Sequence, residues 1–171
     1  MHRGHLAVAR GILGANLADE VWLMPCRRNP LKDGSTTMAD DERLQMLRKA
    51  ADYYNSRETD GRLKISDIEL YMPEPSYTCD TLRRLCRENP DTEFRIAVGA
   101  DSYMEFGKWK EWEWIEGNFR PIVYPRPGYE IGEVRPQWTL LEGVEEVDVS
   151  STRIREKMRT GEPLAEEMPW K

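Results

Sequence analysis

The first five residues place two histidines around a glycine, in the pattern His2-x-Gly4-His5, and an apolar stretch of helical spacing follows. A histidine ring donates hydrogen bonds and carries positive charge when protonated, so two such rings can hold phosphate oxygens. Gly4 has no Cβ, and the unpaired amides of a helix start attract anions. The spacing predicts a phosphate site that stabilises a phosphoryl transition state, with a frayed chain end as the alternative.

A second candidate anion site lies near the other end of the chain, in "VSSTRIR", residues 149–155. The hydroxyls of Ser151 and Thr152 can cap a helix whose first amides face a phosphate group. Arg155, one turn further on, can reach the phosphates that leave. A well-capped surface helix is the alternative for this stretch alone, but two such motifs in one chain favour phosphate chemistry.

Predicted strands alternate with predicted helices along the chain, and these elements position the two motifs. A helix from His5 to Ala15 comes first, and an amphipathic helix in "MADDERLQMLRKAADYYNS" ends at Asn55-Ser56. A third helix lies in "PSYTCDTLRRLCRENP", and short strands are predicted in "EVWLMP", "RLKISDIEL", "FRIAVGA", "FRPIVYPRPG" and "WTLLEGVEEVDVSS". This order predicts an α/β fold, a doubly wound and mostly parallel sheet with helices on both faces, in a single domain of residues 1–171.

Composition excludes several classes of partner. The net charge of −6 argues against a nucleic acid polymer, because binding to phosphate backbones depends on Lys and Arg. No apolar run approaches the roughly 20 residues of a membrane span, and no signal peptide is visible. The three cysteines lack metal-binding spacing, which indicates reduced thiols in a cytoplasmic protein and no protein-bound metal.

Several of these motifs resemble known signatures. "HRGH" is similar to the HxGH signature of the nucleotidyltransferase superfamily, and "VSSTRIR" resembles its ISSTxIR motif. Further stretches resemble the bacterial nicotinate-nucleotide adenylyltransferases: "DEVWLMP" with "NPLK", "ERLQML", "EPSYTCDTL", "VGADS" with "KWKEW", and "RPGY". The PSYTxxTL string is the most discriminating, and the resemblance runs in order through residues 2–170. It implies the Rossmann-like nucleotidyltransferase fold.

The resemblance also implies an activity: transfer of the adenylyl group of ATP to nicotinate mononucleotide. The products are nicotinate adenine dinucleotide and pyrophosphate, in NAD biosynthesis, and Mg²⁺ bridges the ATP phosphates. No protein base is needed, because the attacking phosphate is already an anion. Catalysis is then positioning and charge stabilisation.

Site residues follow from the same resemblance. Seven residues are assigned to the triphosphate and to the negative charge that develops on pyrophosphate: His2, Gly4, His5, Lys32, Ser151, Thr152 and Arg155. Lys32 is the cation of the "NPLK" loop, and the family usually has His at the position before it.

The remaining assignments concern the two nucleosides. Asp101 is expected to meet the adenosine hydroxyls, with a helix N-cap role as the alternative. Tyr77 and Thr78 are expected to hold the pyridine carboxylate through backbone groups, and Trp109 to stack on the pyridine ring. Trp112 and Trp114 are expected in the core. Arg126 is expected in a surface turn, with a side chain that reaches the site as the alternative.

The chain departs from the family pattern at both ends. The family motif begins with a strand and continues GGxFDPxHxGH, and here only Met1 precedes His2. We expect the sheet to lack a central strand, which would leave two buried strand edges without ladder partners. The chain is therefore interpreted as truncated at both ends and poorly active, and an extension of about 15 residues, a strand and a turn, should restore turnover.

The sequence leaves three alternative functions open. A nicotinamide-mononucleotide adenylyltransferase differs only in groups that act through backbone, and a pantetheine-phosphate adenylyltransferase usually has Thr in place of the first histidine. A non-catalytic nucleotide-binding relic is the third. The aromatic region around Trp112 and Trp114 leaves a homo-oligomer open, with ordinary burial as the other explanation.

Overall fold

The computed structural model describes residues 3–25, 39–144, and the single residues 157, 160 and 162. The chain divides into two compact units. Of the described residues, the first unit comprises 3–25, 39–67, 157, 160 and 162, and the second comprises 68–144. The assignment of residues 1–171 to one domain stays a prediction.

The first unit contains two helices and two short parallel strands. Its elements are α1 (Arg3–Gly14), β1 (Val21–Leu23), α2 (Asp40–Tyr54), a π-helical turn (Asn55–Thr59) and β2 (Leu63–Ile65). Val21 pairs with Leu63 in the β1–β2 ladder. The core of this unit combines α1, α2 and β2 through five buried residues: Leu6, Ala9, Ala51, Tyr54 and Leu63.

The α-helical part of α2 ends where the sequence predicts, with Tyr54 as its last residue and Asn55 as its C-cap. A π-helical turn through Thr59 follows, which the sequence did not predict. The side chain of Asn55 bonds to the β2 backbone, accepting from Leu63 N at 3.0 Å and donating to Leu63 O at 2.8 Å. The turn comes at Asp60 and Gly61, where φ is 47° and 78°. Glycine adopts such a left-handed conformation without strain, and aspartate tolerates it.

The second unit holds a three-stranded parallel sheet with helices. Its elements are a 3₁₀ turn (Ile68–Tyr71), α3 (Thr78–Glu88), β3 (Ala97–Gly99), α4 (Ala100–Met104), a second 3₁₀ turn (Phe106–Lys108), α5 (Trp112–Phe119), β4 (Ile122–Tyr124) and β5 (Thr139–Leu140). The strand order is β3-β4-β5, and Gly99 pairs with Tyr124.

The order of elements confirms the predicted α/β class, since every described ladder between strands is parallel. The single sheet is not observed, because the described strands form one sheet of β1 and β2 and another of β3, β4 and β5. The expectation that a central strand is missing stays a prediction.

Aromatic rings form the centre of the second unit. Phe106 is fully buried, and its ring centroid lies 4.7 Å from that of Trp138. The Trp138 indole donates to Glu116 Oε1 at 2.6 Å, which satisfies its polar atom. The expectation that Trp112 and Trp114 lie in the core is wrong, because both are only half-buried. Guanidinium groups cover their rings: Arg83 lies 4.1 Å from the Trp114 centroid.

No helix among the described residues combines the length and apolarity required to cross a membrane. Among the described residues, Cys79 and Cys86 are free thiols. Cys26 lies outside the described residues.

Candidate active site

Gly4 and His5, the second half of the HxGH motif, occupy the first turn of α1, at the helix start that the sequence predicts. That turn carries no acidic side chain. His5 is half-buried. Because the first amides of a helix have no partner within the helix, this turn can accept an anion. His2 lies outside the described residues.

Four further residues assigned to the triphosphate also lie outside the described residues: Lys32, Ser151, Thr152 and Arg155. Their meeting with His5 around one triphosphate stays a prediction.

The start of α3 presents backbone donors at Tyr77 and Thr78. Tyr77 is the N-cap, with extended backbone at φ −102° and ψ 141°. Its carbonyl accepts from the amides of Asp80 at 3.0 Å and Thr81 at 3.1 Å. The Thr78 amide belongs to the first turn, whose N–H groups have no acceptor within the helix. The helix start is therefore suited to a carboxylate.

A buried hydrogen bond fixes the segment that leads into α3. Thr81 Oγ1 donates to Glu69 Oε1 at 2.9 Å, and both side chains are buried. Glu69 lies in the 3₁₀ turn before the "PSYT" stretch. The bond ties this turn to the first turn of α3, which limits the movement of Tyr77 and Thr78 between them.

The segment containing Trp109 reaches the start of α3 through Lys110. Lys110 Nζ lies 2.9 Å from Asp80 Oδ2 and 4.7 Å from the centroid of the Tyr77 ring. Trp109 is half-buried, and its ring lies 5.2 Å from that of the buried Phe106. The structure thus brings the segment of the predicted stacking residue to the predicted carboxylate-binding backbone.

Four charged groups surround this helix start. Arg83 Nη1 donates to Glu111 Oε1 at 3.0 Å, and Lys110 pairs with Asp80. The hydrogen bond from Arg83 holds the pKa of Glu111 below its usual range. The bond to Asp80 raises the pKa of Lys110. At neutral pH the two cations and the two anions therefore balance.

The described side chains at the start of α3 do not form a Mg²⁺-binding site. Cys79, Asp80 and Glu111 offer ligand atoms within 4.8 Å of one another. Mg²⁺ requires oxygen ligands in an octahedron, whereas one of these groups is a thiol whose pKa is raised by burial. Arg83 and Lys110 already engage the two carboxylates.

Asp101 lies at the carboxyl edge of the second sheet and pairs with Arg126. It is the second residue of α4, and the N-cap of that helix is Gly99, so the alternative role of Asp101 as the N-cap is wrong. Arg126 Nη1 lies 3.5 Å from Asp101 Oδ2, and the two side chains are 29% and 25% exposed. A carboxylate in this position can accept hydrogen bonds from ribose hydroxyls.

Arg126 lies at the turn that follows β4, where its carbonyl accepts from Tyr129 N at 3.1 Å. Its side chain also reaches Asp101, because β3 and β4 are neighbouring parallel strands whose carboxyl ends lie at one edge. Lys110 is the residue that sequence reasoning missed, although it is adjacent to Trp109.

Residues 1–157 match the profile of the cytidylyltransferase-like family. The "Probable nicotinate-nucleotide adenylyltransferase" of Bacteroides fragilis (strain YCH46) is 36% identical over 165 residues, which cover 96% of this chain and 79% of the relative. The protein of that name from Halalkalibacterium halodurans is 34% identical over 169 residues, which cover 98% and 79%.

The fold was compared with solved structures. Nicotinic acid mononucleotide adenylyltransferase of Plasmodium falciparum, complexed with NaAD, superposes with a TM-score of 0.78 at 19% identity. The match covers 96% of this chain and 81% of that one. At this identity the likeness concerns the fold.

Proposed function

The chain belongs to the nicotinate-nucleotide adenylyltransferases within the cytidylyltransferase-like family, and we propose that it transfers the adenylyl group of ATP to nicotinate mononucleotide. The phosphate of the mononucleotide attacks the α-phosphorus of ATP, the bond to the β-phosphate oxygen breaks, and pyrophosphate leaves. The new phosphoanhydride is nicotinate adenine dinucleotide.

The observation that carries this proposal is the meeting of the Trp109 segment with the start of α3. Lys110 joins them by contacts to Asp80 and to the Tyr77 ring. We assign the pyridine ring to the face of Trp109 and its carboxylate to the backbone amides at Tyr77 and Thr78. Amides at a helix start favour an anion, so this arrangement suits nicotinate.

The adenosine is assigned to the carboxyl edge of β3 and β4. Asp101 accepts hydrogen bonds from the ribose hydroxyls in this proposal, and the neighbouring Arg126 holds its carboxylate. Strand ends of this kind are where open α/β sheets bind nucleotides.

The triphosphate is assigned to the two helix-start motifs. Gly4 and His5 begin α1, which supports their part in this assignment. The other members of the set remain proposals from the sequence alone: His2, Lys32, Ser151, Thr152 and Arg155. These cationic and hydroxyl groups stabilise charge on the transferring phosphoryl group, and no covalent intermediate is required.

Mg²⁺ enters this proposal as part of the substrate, bound to the phosphates of ATP. It neutralises phosphate charge as the pyrophosphate leaves. The described residues agree with a metal bound to the substrate, because Arg83 and Lys110 already form ion pairs with the acidic side chains near Cys79.

The test is release of pyrophosphate from ATP by the purified chain with one of three acceptors. We expect release with nicotinate mononucleotide, and at least tenfold less at equal concentration with nicotinamide mononucleotide or phosphopantetheine, corresponding to about 1.4 kcal/mol. Nicotinate adenine dinucleotide should appear in equal amount to pyrophosphate. Equal use of the two mononucleotides would reject the substrate assignment. Because the sequence predicts poor activity for the chain without an added first strand, absence of release by both the chain and its extended form would reject the activity.

A further inference from the structure

We propose that the side chain of Lys110 makes this enzyme selective for the carboxylate of nicotinate mononucleotide over the carboxamide of nicotinamide mononucleotide. The inference rests on the proposed function, because it concerns the pyridine end of that substrate. Lys110 acts here as a specificity residue, in addition to the backbone amides of Tyr77 and Thr78.

The position of the ammonium group supports this role. Lys110 Nζ lies 4.7 Å from the centroid of the Tyr77 ring, at the N-cap of α3. It is also bonded to Asp80 Oδ2, at the third residue of the helix, at 2.9 Å. The cation is therefore held by two side chains of the helix start to which the carboxylate is assigned.

The local charge balance shows what Lys110 contributes. Asp80 and Glu111 are anions near the start of α3, and Arg83 and Lys110 compensate them. A substrate carboxylate would add a third negative charge to this group. Without Lys110 the site would carry a net negative charge before the substrate arrives, and like charges repel.

Arg83 cannot take over this function, because its guanidinium is already fixed. Both of its terminal nitrogens donate to the carboxylate of Glu111, and its plane lies 4.1 Å above the ring of Trp114. Lys110 carries three N–H donors, and among the described side chains its hydrogen bond goes to Asp80. Its side chain is 44% exposed, so an arriving carboxylate can reach the ammonium group.

A carboxamide has nearly the same shape as a carboxylate but no net charge. Loss of the Lys110 cation should therefore weaken binding of nicotinate mononucleotide and leave binding of nicotinamide mononucleotide almost unchanged. A charge-assisted hydrogen bond in a partly exposed site corresponds to roughly a tenfold difference in affinity. The effect should decrease at high salt, because the group is open to solvent.

The experiment compares Lys110→Met, Lys110→Arg and the unchanged chain. For each, kcat/KM is measured with both mononucleotides at saturating ATP. We expect Lys110→Met to lower the ratio of nicotinate to nicotinamide use by about tenfold. Lys110→Arg should keep the ratio within about threefold, because it keeps the charge.

Lys108→Met is the matched control. Lys108 lies on the other side of Trp109, is 67% exposed and forms an ion pair of similar length, with Nζ 2.7 Å from Glu105 Oε1. Its removal should leave the ratio unchanged. Equal losses with both mononucleotides in Lys110→Met, or the same change of ratio in Lys108→Met, would overturn the proposal.

Failure of the proposed function gives a different result. If neither the unchanged chain nor its extended form releases pyrophosphate with either mononucleotide, the activity fails whatever Lys110 does. Titration calorimetry with each mononucleotide then tests Lys110 by binding alone. Lys110→Met must lose affinity for the nicotinate form and not for the nicotinamide form, or the inference is wrong.

Discussion

Arg126 Nη1 lies 3.5 Å from Asp101 Oδ2, across the ends of two neighbouring parallel strands. The strand register explains this meeting. Gly99 pairs with Tyr124, so Asp101 and Arg126 each lie two residues beyond a paired position. The ion pair therefore holds the Asp101 carboxylate at the sheet edge to which the adenosine is assigned.

Asp101→Asn should raise the KM for ATP by about tenfold, because a neutral amide forms weaker hydrogen bonds to ribose hydroxyls and no ion pair with Arg126. The KM for nicotinate mononucleotide should change little. Steady-state kinetics with each substrate varied in turn measures both. Asp67→Asn is the control, since its carboxylate pairs with Arg48 at 3.8 Å in the first unit. An unchanged KM for ATP in Asp101→Asn would remove the adenosine assignment.

Gly99→Ala should disturb the same ion pair by steric contact. A Cβ atom at Gly99 would lie 2.5 Å from Asp101 Oδ1 and 2.9 Å from Arg126 Nε. We expect the two side chains to move apart, which weakens the ion pair and raises the KM for ATP, with only a small loss in the free energy of unfolding because both side chains are partly exposed.

Gly117→Ala is the control for this change. Nothing lies within 4 Å of a Cβ atom at Gly117, which is inside α5. Alanine there should increase the free energy of unfolding by about 0.5–1 kcal/mol, through higher helix propensity. Urea denaturation of the two variants should thus give opposite signs. The same sign for both would show that Gly99 is not crowded.

Trp109→Leu should raise the KM for nicotinate mononucleotide by roughly tenfold, because a stacking surface for the pyridine ring is lost. The KM for ATP should stay within about twofold, since the adenosine is assigned to Asp101. Trp22→Leu is the control, because Trp22 lies on β1 in the first unit. If the two leucine variants had the same KM for the mononucleotide, the stacking assignment to Trp109 would be wrong.

Tyr124 should make the protein less stable in alkaline solution. Burial raises the pKa of Tyr124, although the nearby Arg126 partly offsets this. The unfolded chain therefore loses the phenol proton at a lower pH than the folded protein does. This contribution to the free energy of unfolding is complete below a pH of about 10 and is lost as the pH rises through the folded pKa.

Urea denaturation between neutral and alkaline pH measures this loss. Tyr124→Phe should lose less stability over the alkaline range than the unchanged chain, because it has no phenol to titrate. Tyr71→Phe is the matched control, since Tyr71 is 71% exposed. Equal alkaline slopes for Tyr124→Phe and the unchanged chain would contradict the prediction.

The local elements of the site could be predicted because their signals lie within a few residues. The stripe of Leu44, Leu47, Ala51 and Tyr54 predicted one face of α2, and all four are buried. The stretch "PSYTCDTLRRLCRENP" predicted a helix, and α3 lies within it, although its first residue was not predicted. The end of α2 at Asn55 was predicted. The π-helical turn after it was not, because Asn55 bonds to Leu63 on β2, and residues eight apart in the chain give no such signal.

By itself the sequence determined that His5 lies near a helix start and that Asp101 follows a strand, and it placed Thr78 in a helical stretch without fixing the first residue of the helix. Only the tertiary structure decided which of these ends meet. Lys110 and Asp80 are separated by 30 positions, and their contact depends on how the turn at Glu111 packs against α3. Arg126 reaches Asp101 through the pairing of β3 with β4. Such contacts arise from packing and strand register over the whole unit, which local spacing does not encode.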